Sequence, residues 1–146
     1  MAFKYRLAPL LKIRENVRAE KQAELNQAYE AARLVEEELE RVRGEFARSM
    51  EQGLQAAKQE QIDVNYLLGM RRHQAYLITQ QELALKQLEE IQQEIERRRI
   101  TLMEADREVK ILEKLREKMK AKYLQEEALA DLKQMDEIAG RTKTNV

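Results

Sequence analysis

Apolar residues recur in alternating steps of three and four along the second half of the chain, from Leu67 to Ala130. With Leu67 at an a position and Met70 at a d position, fourteen of the nineteen positions in this heptad series are apolar. The positions between them are mostly Glu, Lys, Arg and Gln. A narrow apolar stripe of this period predicts one long helix that packs its stripe against another helix. At 1.5 Å per residue this helix would be about 95 Å long.

A second heptad series occupies the first half of the chain, from Leu25 to Gly53, and seven of its nine positions are apolar. Nearer the N-terminus the apolar residues adopt an eleven-residue spacing instead, which predicts a local relaxation of the left-handed supercoil. The positions in this spacing, which includes steps of four, four and three, are Leu10, Ile13, Val17, the polar Lys21, Leu25 and Ala28. The first half therefore predicts a second helix with a stripe of its own.

The N-terminal lead-in alternates apolar and basic residues before Pro9. Proline suits the first turn of a helix, and it biases the preceding residue, Ala8, away from helical angles. We therefore expect a short irregular or extended segment, with the helix established by about Leu10. A helix that begins near Phe3 and is kinked at Pro9 is the alternative.

The apolar pattern weakens between the two stripes, over Gln52–Gln61. Asp63 is suited to cap a helix that begins at Val64, because its carboxylate accepts hydrogen bonds from the free N–H groups of the first turn. A short connection makes consecutive helices antiparallel. The sequence therefore predicts an all-α fold in which two long helices form an antiparallel coiled-coil hairpin.

The predicted hairpin is a single domain with unequal arms. The first arm covers about residues 9–58, the turn about 59–63 and the second arm about 64–139. A frayed tail, 140–146, follows the helix-stopping Gly140. Residue i then lies opposite about residue 123 − i, and the second arm extends about twenty residues beyond the first.

Composition narrows the function further. Two narrow helices have no enclosed interior, whereas catalytic and cofactor pockets are concave and mostly apolar, so we expect neither enzymatic activity nor a cofactor. There is no cysteine, and the one histidine, His73, has no ligand companion four residues away, so we expect no metal site. The chain has no apolar signal region and no run approaching eighteen apolar residues, which predicts a cytoplasmic protein.

Charge is unevenly distributed, although 27 basic and 27 acidic residues give a net charge of zero. Residues 1–21 carry six basic and two acidic side chains, and residues 102–122 carry seven and five. The predicted hairpin joins these segments into a basic collar of net charge +6, whose basic residues lie off the seam and are not neutralised by the other arm. Such a collar suits an acidic protein surface or an anionic membrane surface, and simple solvation of the charge is the alternative.

Beyond Tyr123 the second arm has no partner in its own hairpin. The seam becomes polar at Glu126, and an apolar set then resumes as Leu129, Leu132, Met135 and Ile138. An amphipathic helix without internal cover is typical of a docking helix. Within the covered part, Arg98 occupies a d position, where we expect it to snorkel or to pair across the seam rather than to bind phosphate.

Two motifs stand at the ends of the chain. The first is Phe3-Lys-Tyr-Arg-Leu-Ala-Pro-Leu-Leu-Lys-Ile-Arg-Glu15, and the second is Leu112-Glu-Lys-Leu-Arg-Glu117 followed by Leu132-Lys-Gln-Met-Asp-Glu-Ile-Ala139. Together they resemble the FliJ family, the small soluble component of the bacterial flagellar type III export apparatus. Chain length, hairpin architecture and the lack of cysteine also fit, so the resemblance covers essentially the whole chain.

The resemblance implies a non-catalytic antiparallel coiled coil that is similar to the central stalk subunit of rotary ATPases. As partners it implies the export ATPase hexamer (FliI-like), which the stalk would enter and activate, the export gate protein (FlhA-like) and export chaperones, with no nucleic acid. It also implies a cytoplasmic location at the flagellar base, peripherally associated with the inner membrane. Three alternatives stay open: an escort or adaptor for export chaperones, a generic coiled-coil scaffold, and a membrane- or RNA-binding coiled coil that uses the collar.

Two sets of contact residues follow from the resemblance and the charge pattern. The set for the ATPase ring combines the collar with the last helical turns: Arg6, Lys12, Arg14, Arg18, Lys133, Met135, Asp136, Glu137 and Ile138. The set for the export gate lies on the flank of the coil near the turn: Leu39, Phe46, Met50, His73 and Leu77. For Phe46, which is an a position, packing within the seam is the alternative.

Overall fold

A computed structural model describes residues 2–144, and the side chains as far as Thr142. It contains two α-helices packed against each other, α1 (Ala8–Ala57) and α2 (Val64–Thr144), and no strand among the described residues. The predicted all-α fold of two long packed helices is thus confirmed. Two compact units are distinguished along the hairpin. We call residues 22–101 the turn unit, and the residues up to Lys21 together with those from Leu102 onward the terminal unit.

The turn unit has a mostly apolar seam. Its buried residues occupy the predicted heptad positions, and Val42 is only 1% exposed. They are Leu25, Ala28, Ala32, Leu39, Val42 and Ser49 on α1 and Leu77 and Ala84 on α2. The small alanines allow a close approach of the helix axes, and burial of the larger side chains stabilises the pairing by about 25 cal/mol per Å² of apolar surface removed from water.

Three polar side chains inside this seam, Gln74, Ser49 and Arg98, are satisfied by hydrogen bonds. Gln74 donates from Nε2 to Oγ of the buried Ser49 at 3.2 Å. Arg98 donates from Nη1 across the seam to the backbone oxygen of Glu24 at 2.6 Å, and from Nε to Glu94 on its own helix at 2.9 Å. The predicted snorkelling or cross-seam pairing of Arg98 is therefore confirmed, and it ties the two arms in one register.

The turn follows the predicted capping chemistry. Oδ1 of Asp63 accepts from the backbone N–H groups of Asn65 at 3.1 Å and Tyr66 at 3.3 Å. The first N–H groups of a helix have no carbonyl of a preceding helical turn to accept their hydrogen bonds, and the Asp63 carboxylate accepts two of them here. The cap explains why α2 begins at Val64.

In the terminal unit, the non-helical lead-in folds back over α2. Leu11 packs with Val109 and Leu112 in a small buried cluster, against which Tyr5 and Leu7 lie. The Tyr5 hydroxyl donates to the backbone oxygen of Leu112 at 2.9 Å. Further toward the C-terminus of α2, the ring of Tyr123 lies beside that of Phe3, with centroids 5.6 Å apart. Helix α1 begins at Ala8, so Pro9 lies in its first turn, where no N–H is needed.

The predicted eleven-residue spacing near the N-terminus is wrong. Leu10 and Ile13 are 37% and 56% exposed, whereas Leu11 is buried at 4% exposure. The strict heptad of α1 instead continues backward from Leu25, through positions that are buried or half-buried: Lys21, Arg18, Arg14, Leu11 and Leu7. Polar residues at three of these positions hide the pattern from a search for apolar periodicity.

The contacts fix the antiparallel register within each unit. In the turn unit the pairs are Ser49 with Gln74 and Glu24 with Arg98. In the terminal unit they are Arg18 with Asp106 and Arg14 with Glu108. The numbers of paired residues add to between 122 and 124, in keeping with the predicted relation of i to about 123 − i.

Helix α2 also continues further than the sequence predicted. The second arm was expected to end at residue 139, before a frayed tail from 140 to 146. Helix α2 instead passes through Gly140, which has no positive φ, and reaches Thr144. Glycine inside a helix costs only about 1 kcal/mol relative to alanine, so it does not by itself end a helix. The expectation for Asn145 and Val146 lies outside the described residues.

Candidate interaction surfaces

The C-terminal part of α2 is exposed on all sides. Each residue from Leu124 to Thr142 is exposed, including large apolar side chains whose exposed fractions run from 53% to 69%. These are Leu124, Leu129, Leu132, Met135 and Ile138. We call residues 124–142 the docking segment, because an exposed apolar face on a helix is typical of a surface that binds another protein.

The docking segment lies beyond the part of α2 that the first arm and the lead-in contact. The last buried seam residue of α2 is Leu112, and Tyr123 is half-buried beside Phe3. The later seam positions, Glu126 and Ala130, are exposed accordingly.

Two of the four predicted basic contact residues turn inward to the seam. Arg14 pairs with Glu108 at 2.9 Å and Arg18 with Asp106 at 3.1 Å, both across the two arms. The predictions that these arginines lie off the seam, and that neither arm neutralises the other, are therefore wrong at these two positions. Each arginine sits at a heptad position of α1, where its guanidinium meets a carboxylate of α2.

Asp106 is the electrostatic centre of this contact. The ammonium of Lys110, 2.8 Å away, and then the guanidinium of Arg18 lower the pKa of the Asp106 carboxyl from its ordinary value. The carboxylate thus joins a residue of its own helix to one of the other arm. Both partners favour its charged form, which stabilises the pairing of the arms near neutral pH.

Three other basic residues of the segment 1–21 face solvent. Lys4, Arg6 and Lys12 are exposed, and no ion pair within the described part of the chain involves them. Arg6 and Lys12 belong to the predicted ring contact, whereas Lys4 was counted only as part of the collar. The cationic surface that is left on the first arm is thus smaller than predicted.

The predicted ring residues of the second arm lie close together on the docking segment. Lys133, Met135, Asp136, Glu137 and Ile138 are all exposed. From Lys133 to Ile138 a helix turns through about 500°, or about 1.4 revolutions, so these side chains surround it instead of forming one face. An enclosing partner is better suited to such a pattern than a flat one.

The predicted gate residues divide into buried and exposed ones. Leu39 and Leu77 are buried in the seam at 6% and 2% exposure, and Phe46 is half-buried at a seam position. For these three the packing role is sufficient. Met50 and His73 are exposed and are free to meet a partner.

Met50 and His73 also line different grooves of the turn unit. The first, which we call the Tyr66 groove, lies between α1 and α2 and is lined by Glu45, Arg48, Ser49, Gln52, Tyr66, Gly69, Met70 and His73. The second, the Met50 groove, is lined by Met50, Gly53, Leu54, Ala57, Leu67, Met70, Arg71 and Gln74. Only Met70 is common to both, because it is a d position in the seam that separates them.

The space over Gly69 in the Tyr66 groove is open. A Cβ at Gly69 would meet nothing within 4 Å, so the space between the flanking Tyr66 and His73 is open. The His73 ring stacks on Tyr76, with centroids 6.5 Å apart and planes inclined by 21°. An aromatic stack beside a glycine gap can accept an apolar side chain from a partner.

Charged side chains elsewhere on the turn unit form ladders along each helix. Arg33 lies between Glu30 and Glu37, and Arg41 between Glu38 and Glu45, at spacings of three and four. Hydrogen bonding to Arg33 and Arg41 lowers the pKa of the Glu30 and Glu38 carboxyls. These pairs support the helices, and no described group of His, Asp or Glu side chains could hold a metal ion.

The arginines of the seam are what sequence reasoning missed. The available signal was the register: once residue i faces about 123 − i, Arg14 and Arg18 meet a cluster of acidic residues around Asp106. Basic and acidic residues at opposed heptad positions predict cross-arm pairs. That comparison requires both arms to be aligned before the charge of either is counted.

Comparison with known proteins gives one match. Residues 3–145 match the sequence model of the family described as "Flagellar FliJ protein". No curated protein and no solved structure matches the chain. In the part of the chain that the structure describes, neither helix carries a stretch long and apolar enough to cross a membrane.

Proposed function

Because the chain belongs to the FliJ family and so has a role in flagellar protein export, we propose that it is a non-catalytic stalk that binds and activates the export ATPase hexamer. The observation that carries the proposal is the docking segment, residues 124–142, whose side chains are exposed on all sides. A helix exposed around its whole circumference can be enclosed by a ring of subunits. The seam, in contrast, serves to hold this segment out from the paired arms.

The composition of the docking segment supports an enclosed contact. Met135 and Ile138 are 69% and 62% exposed, which makes them available as apolar anchors. Asp136 and Glu137 lie between them and add charge to the same turn. Central apolar anchors beside charged groups are the arrangement that carries most of the affinity in protein interfaces.

The basic residues proposed for the ring contact are Arg6 and Lys12, with the neighbouring Lys4. They are exposed and can interact with acidic groups at the mouth of a ring. Arg14 and Arg18 act instead on the fold, since their guanidinium groups are engaged with Glu108 and Asp106. Reversing them would disturb the hairpin, so they are unsuitable for testing the contact.

A double substitution, Met135→Glu with Ile138→Glu, tests the proposal. Both side chains are exposed, so the fold should be retained while binding of the purified export ATPase weakens by about tenfold or more. The matched control is Leu34→Glu, at a side chain of the turn unit that is 54% exposed. Ring assembly and ATP hydrolysis that stay at the wild-type level with the double variant would reject the proposal.

Contact with the export gate is proposed at the grooves of the turn unit. The Tyr66 groove carries His73, and the Met50 groove carries Met50. Since the grooves lie on two sides of the seam, His73→Ala and Met50→Ala should differ in their effect. One of the two variants should bind the gate protein more weakly, and the other should bind it like wild type. Equal binding by wild type and both variants would remove this contact. Such contacts would also hold the protein peripherally at the inner membrane.

An escort function for export chaperones is the second candidate. It is favoured by apolar side chains around the turn that are 50% to 63% exposed: Leu54, Ile62, Val64, Tyr66 and Leu68. This surface is separate in sequence from the docking segment. Chaperone capture that survives the Met135→Glu, Ile138→Glu double substitution, together with loss of ATPase activation, would show two independent roles. Loss of both together would refute a chaperone site at the turn.

A further inference from the structure

A second exposed stripe runs along α2 in the terminal unit, beside the seam. It follows a strict heptad in steps of four and three, and all eight of its residues are exposed. They are Ile111, Leu115, Lys118, Lys122, Gln125, Leu129, Leu132 and Asp136, which we call the flank stripe. Because the hairpin seam takes other positions of the same heptad, the first arm leaves the flank stripe uncovered.

The apolar residues of the flank stripe lie at its two ends. Ile111 is 65% exposed and Leu115 37%, while Leu129 and Leu132 are each 57% exposed. The centre of the stripe is polar, with Lys118, Lys122 and Gln125. A heptad stripe of this length is the pattern by which one helix pairs with another.

Charge identifies the partner. Residues 110–122 carry six basic and two acidic side chains, a net charge of +4, and residues 123–138 carry one basic and five acidic, a net charge of −4. The two blocks have equal and opposite charge and similar length. A second copy of this chain, running antiparallel, would set each block against its complement.

From this arrangement we propose that the protein forms a homodimer in which two α2 helices pair antiparallel through their flank stripes. With the two-fold axis between residues 123 and 124, residue i faces about residue 247 − i of the other copy. Leu115 then faces Leu132, Lys118 faces Leu129 and Lys122 faces Gln125. Every a-type position of the stripe meets a d-type position, as an antiparallel coiled coil requires.

The charges disfavour the other pairings of two copies. A parallel pair would set the +4 block beside +4 and the −4 block beside −4. An antiparallel pair restricted to the docking segment would bring the acidic block against itself, since its centre would fall near Lys133. The repulsion between blocks of like charge opposes both the parallel pair and the pair restricted to the docking segment. The pairing centred between 123 and 124 is the one that opposes unlike blocks throughout.

The dimer is expected to be reversible. Half of the eight stripe positions are polar, so the contact is less apolar than that of an obligate dimer, and a Kd of about 10 to 100 µM is expected. Leu129, Leu132 and Asp136 also belong to the docking segment. Dimerisation would therefore cover part of the docking segment, so a chain in the dimer could not bind an enclosing ring at the same time.

Sedimentation of the full chain over a concentration series tests the association. Wild type should rise from 17.3 kDa toward twice that mass, and Leu129→Glu with Leu132→Glu should remain monomeric. The matched control is Leu124→Glu with Ile138→Glu, at two exposed residues off the stripe, and it should dimerise like wild type. Wild-type protein that stays at 17.3 kDa at about 1 mM, a concentration well above the expected Kd, would overturn the proposal.

Charge exchange tests the block complementarity. Four changes in the basic block, Lys114→Glu, Lys118→Glu, Lys120→Glu and Lys122→Glu, turn its net charge from +4 to −4 and should raise the Kd by about tenfold or more. Adding Glu126→Lys, Glu127→Lys, Asp131→Lys and Asp136→Lys turns the acidic block from −4 to +4 and should restore dimerisation, because unlike blocks then face each other again. Failure of the eightfold variant to recover, with helicity intact by circular dichroism, would contradict the antiparallel arrangement.

Cysteine pairing fixes the register, since the chain has no cysteine of its own. Oxidation of the double variant Leu115→Cys, Leu132→Cys should yield a covalent dimer in high yield, and Leu115→Cys, Leu124→Cys should not. Efficient cross-linking of Leu115→Cys alone would indicate a parallel pair and overturn the proposal. ATPase activation is a separate readout: if the dimer is absent but activation persists, the stalk function stands and only this inference fails.

Discussion

The turn unit and the terminal unit use the same heptad and fill it differently. On α1 of the turn unit the seam positions from Leu25 to Val42 are apolar, and all are buried except the half-buried Val35. Along α2 the terminal unit has arginine–carboxylate pairs at Asp106 and Glu108, then a short buried cluster at Val109 and Leu112, and finally an exposed helix. The difference predicts that the turn unit contributes more to the stability of the fold than the terminal unit, whose last helical turns bury no side chain.

Disrupting the turn unit should have the largest effect. Val42 is 1% exposed, and Val42→Asp would bury an unpaired carboxylate, lowering the free energy of unfolding by about 3 kcal/mol or more. Urea denaturation followed by circular dichroism measures the change. Leu34→Asp, at a side chain 54% exposed, is the control and should stay within about 0.5 kcal/mol of wild type. Similar midpoints for the two variants would contradict a buried seam.

Two leucines of α2, one buried and one exposed, extend the comparison to positions of the same residue type. Leu112 is 9% exposed, and Leu112→Ala should lower the free energy of unfolding by about 2 to 3 kcal/mol. Leu132 is 57% exposed, and Leu132→Ala should change it by less than about 0.5 kcal/mol. The same urea titration, at a concentration low enough to keep the chain monomeric, compares the two. A large loss at Leu132 would mean that the docking segment is covered.

The Asp106 contact predicts a smaller, pH-dependent effect. The folded pKa of its carboxyl is lowered by Lys110 and Arg18, so the contribution to stability is present above the unfolded value of about 3.9 and is lost as pH falls through the lower folded pKa. Wild type should therefore exceed Asp106→Asn in thermal stability at pH 6. The difference should shrink as the pH is lowered below about 4, and a gap that widens on acidification would refute this role.

The smallest effect on stability is expected at the exposed basic residues. Lys4→Glu, Arg6→Glu and Lys12→Glu together should leave the melting temperature unchanged, because these side chains form no ion pair among the described residues. The same variant should weaken association with the export ATPase, most clearly at low salt. The comparison variant is Arg14→Glu with Arg18→Glu, which should lower the melting temperature by breaking both cross-arm pairs.

Much of the fold could be predicted because, in a coiled coil, the heptad spacing of apolar residues shows which side chains face the other helix. The heptad from Leu67 onward predicted which α2 residues are covered as far as Leu112, and Asp63 predicted the start of α2. The seam at Arg14 and Arg18 could not be read from apolar spacing, since long cationic side chains occupy it. The end of α2 was predicted at residue 139, which is wrong because Gly140 destabilises the helix only slightly and the helix continues through it to Thr144.

The candidate surfaces show a similar division. Exposure of Met135 and Ile138 followed from the unequal arms, so the docking segment was predictable. For the gate, the resemblance selected Leu39 and Leu77 although their heptad positions already indicated burial. Where family likeness and periodicity disagreed, periodicity gave the correct environment. The separation of Met50 from His73 required both helices in register, which only the structure provides.

Hydrogen–deuterium exchange of the protein with and without the export ATPase tests the central claim most directly. The uncovered backbone of residues 124–142 should exchange quickly in the free protein and become strongly protected on binding, because an enclosing ring would exclude solvent from that segment. Peptides from residues 22–101 should keep the same exchange in both states. Protection confined to residues 22–101, with residues 124–142 unchanged, would contradict the account.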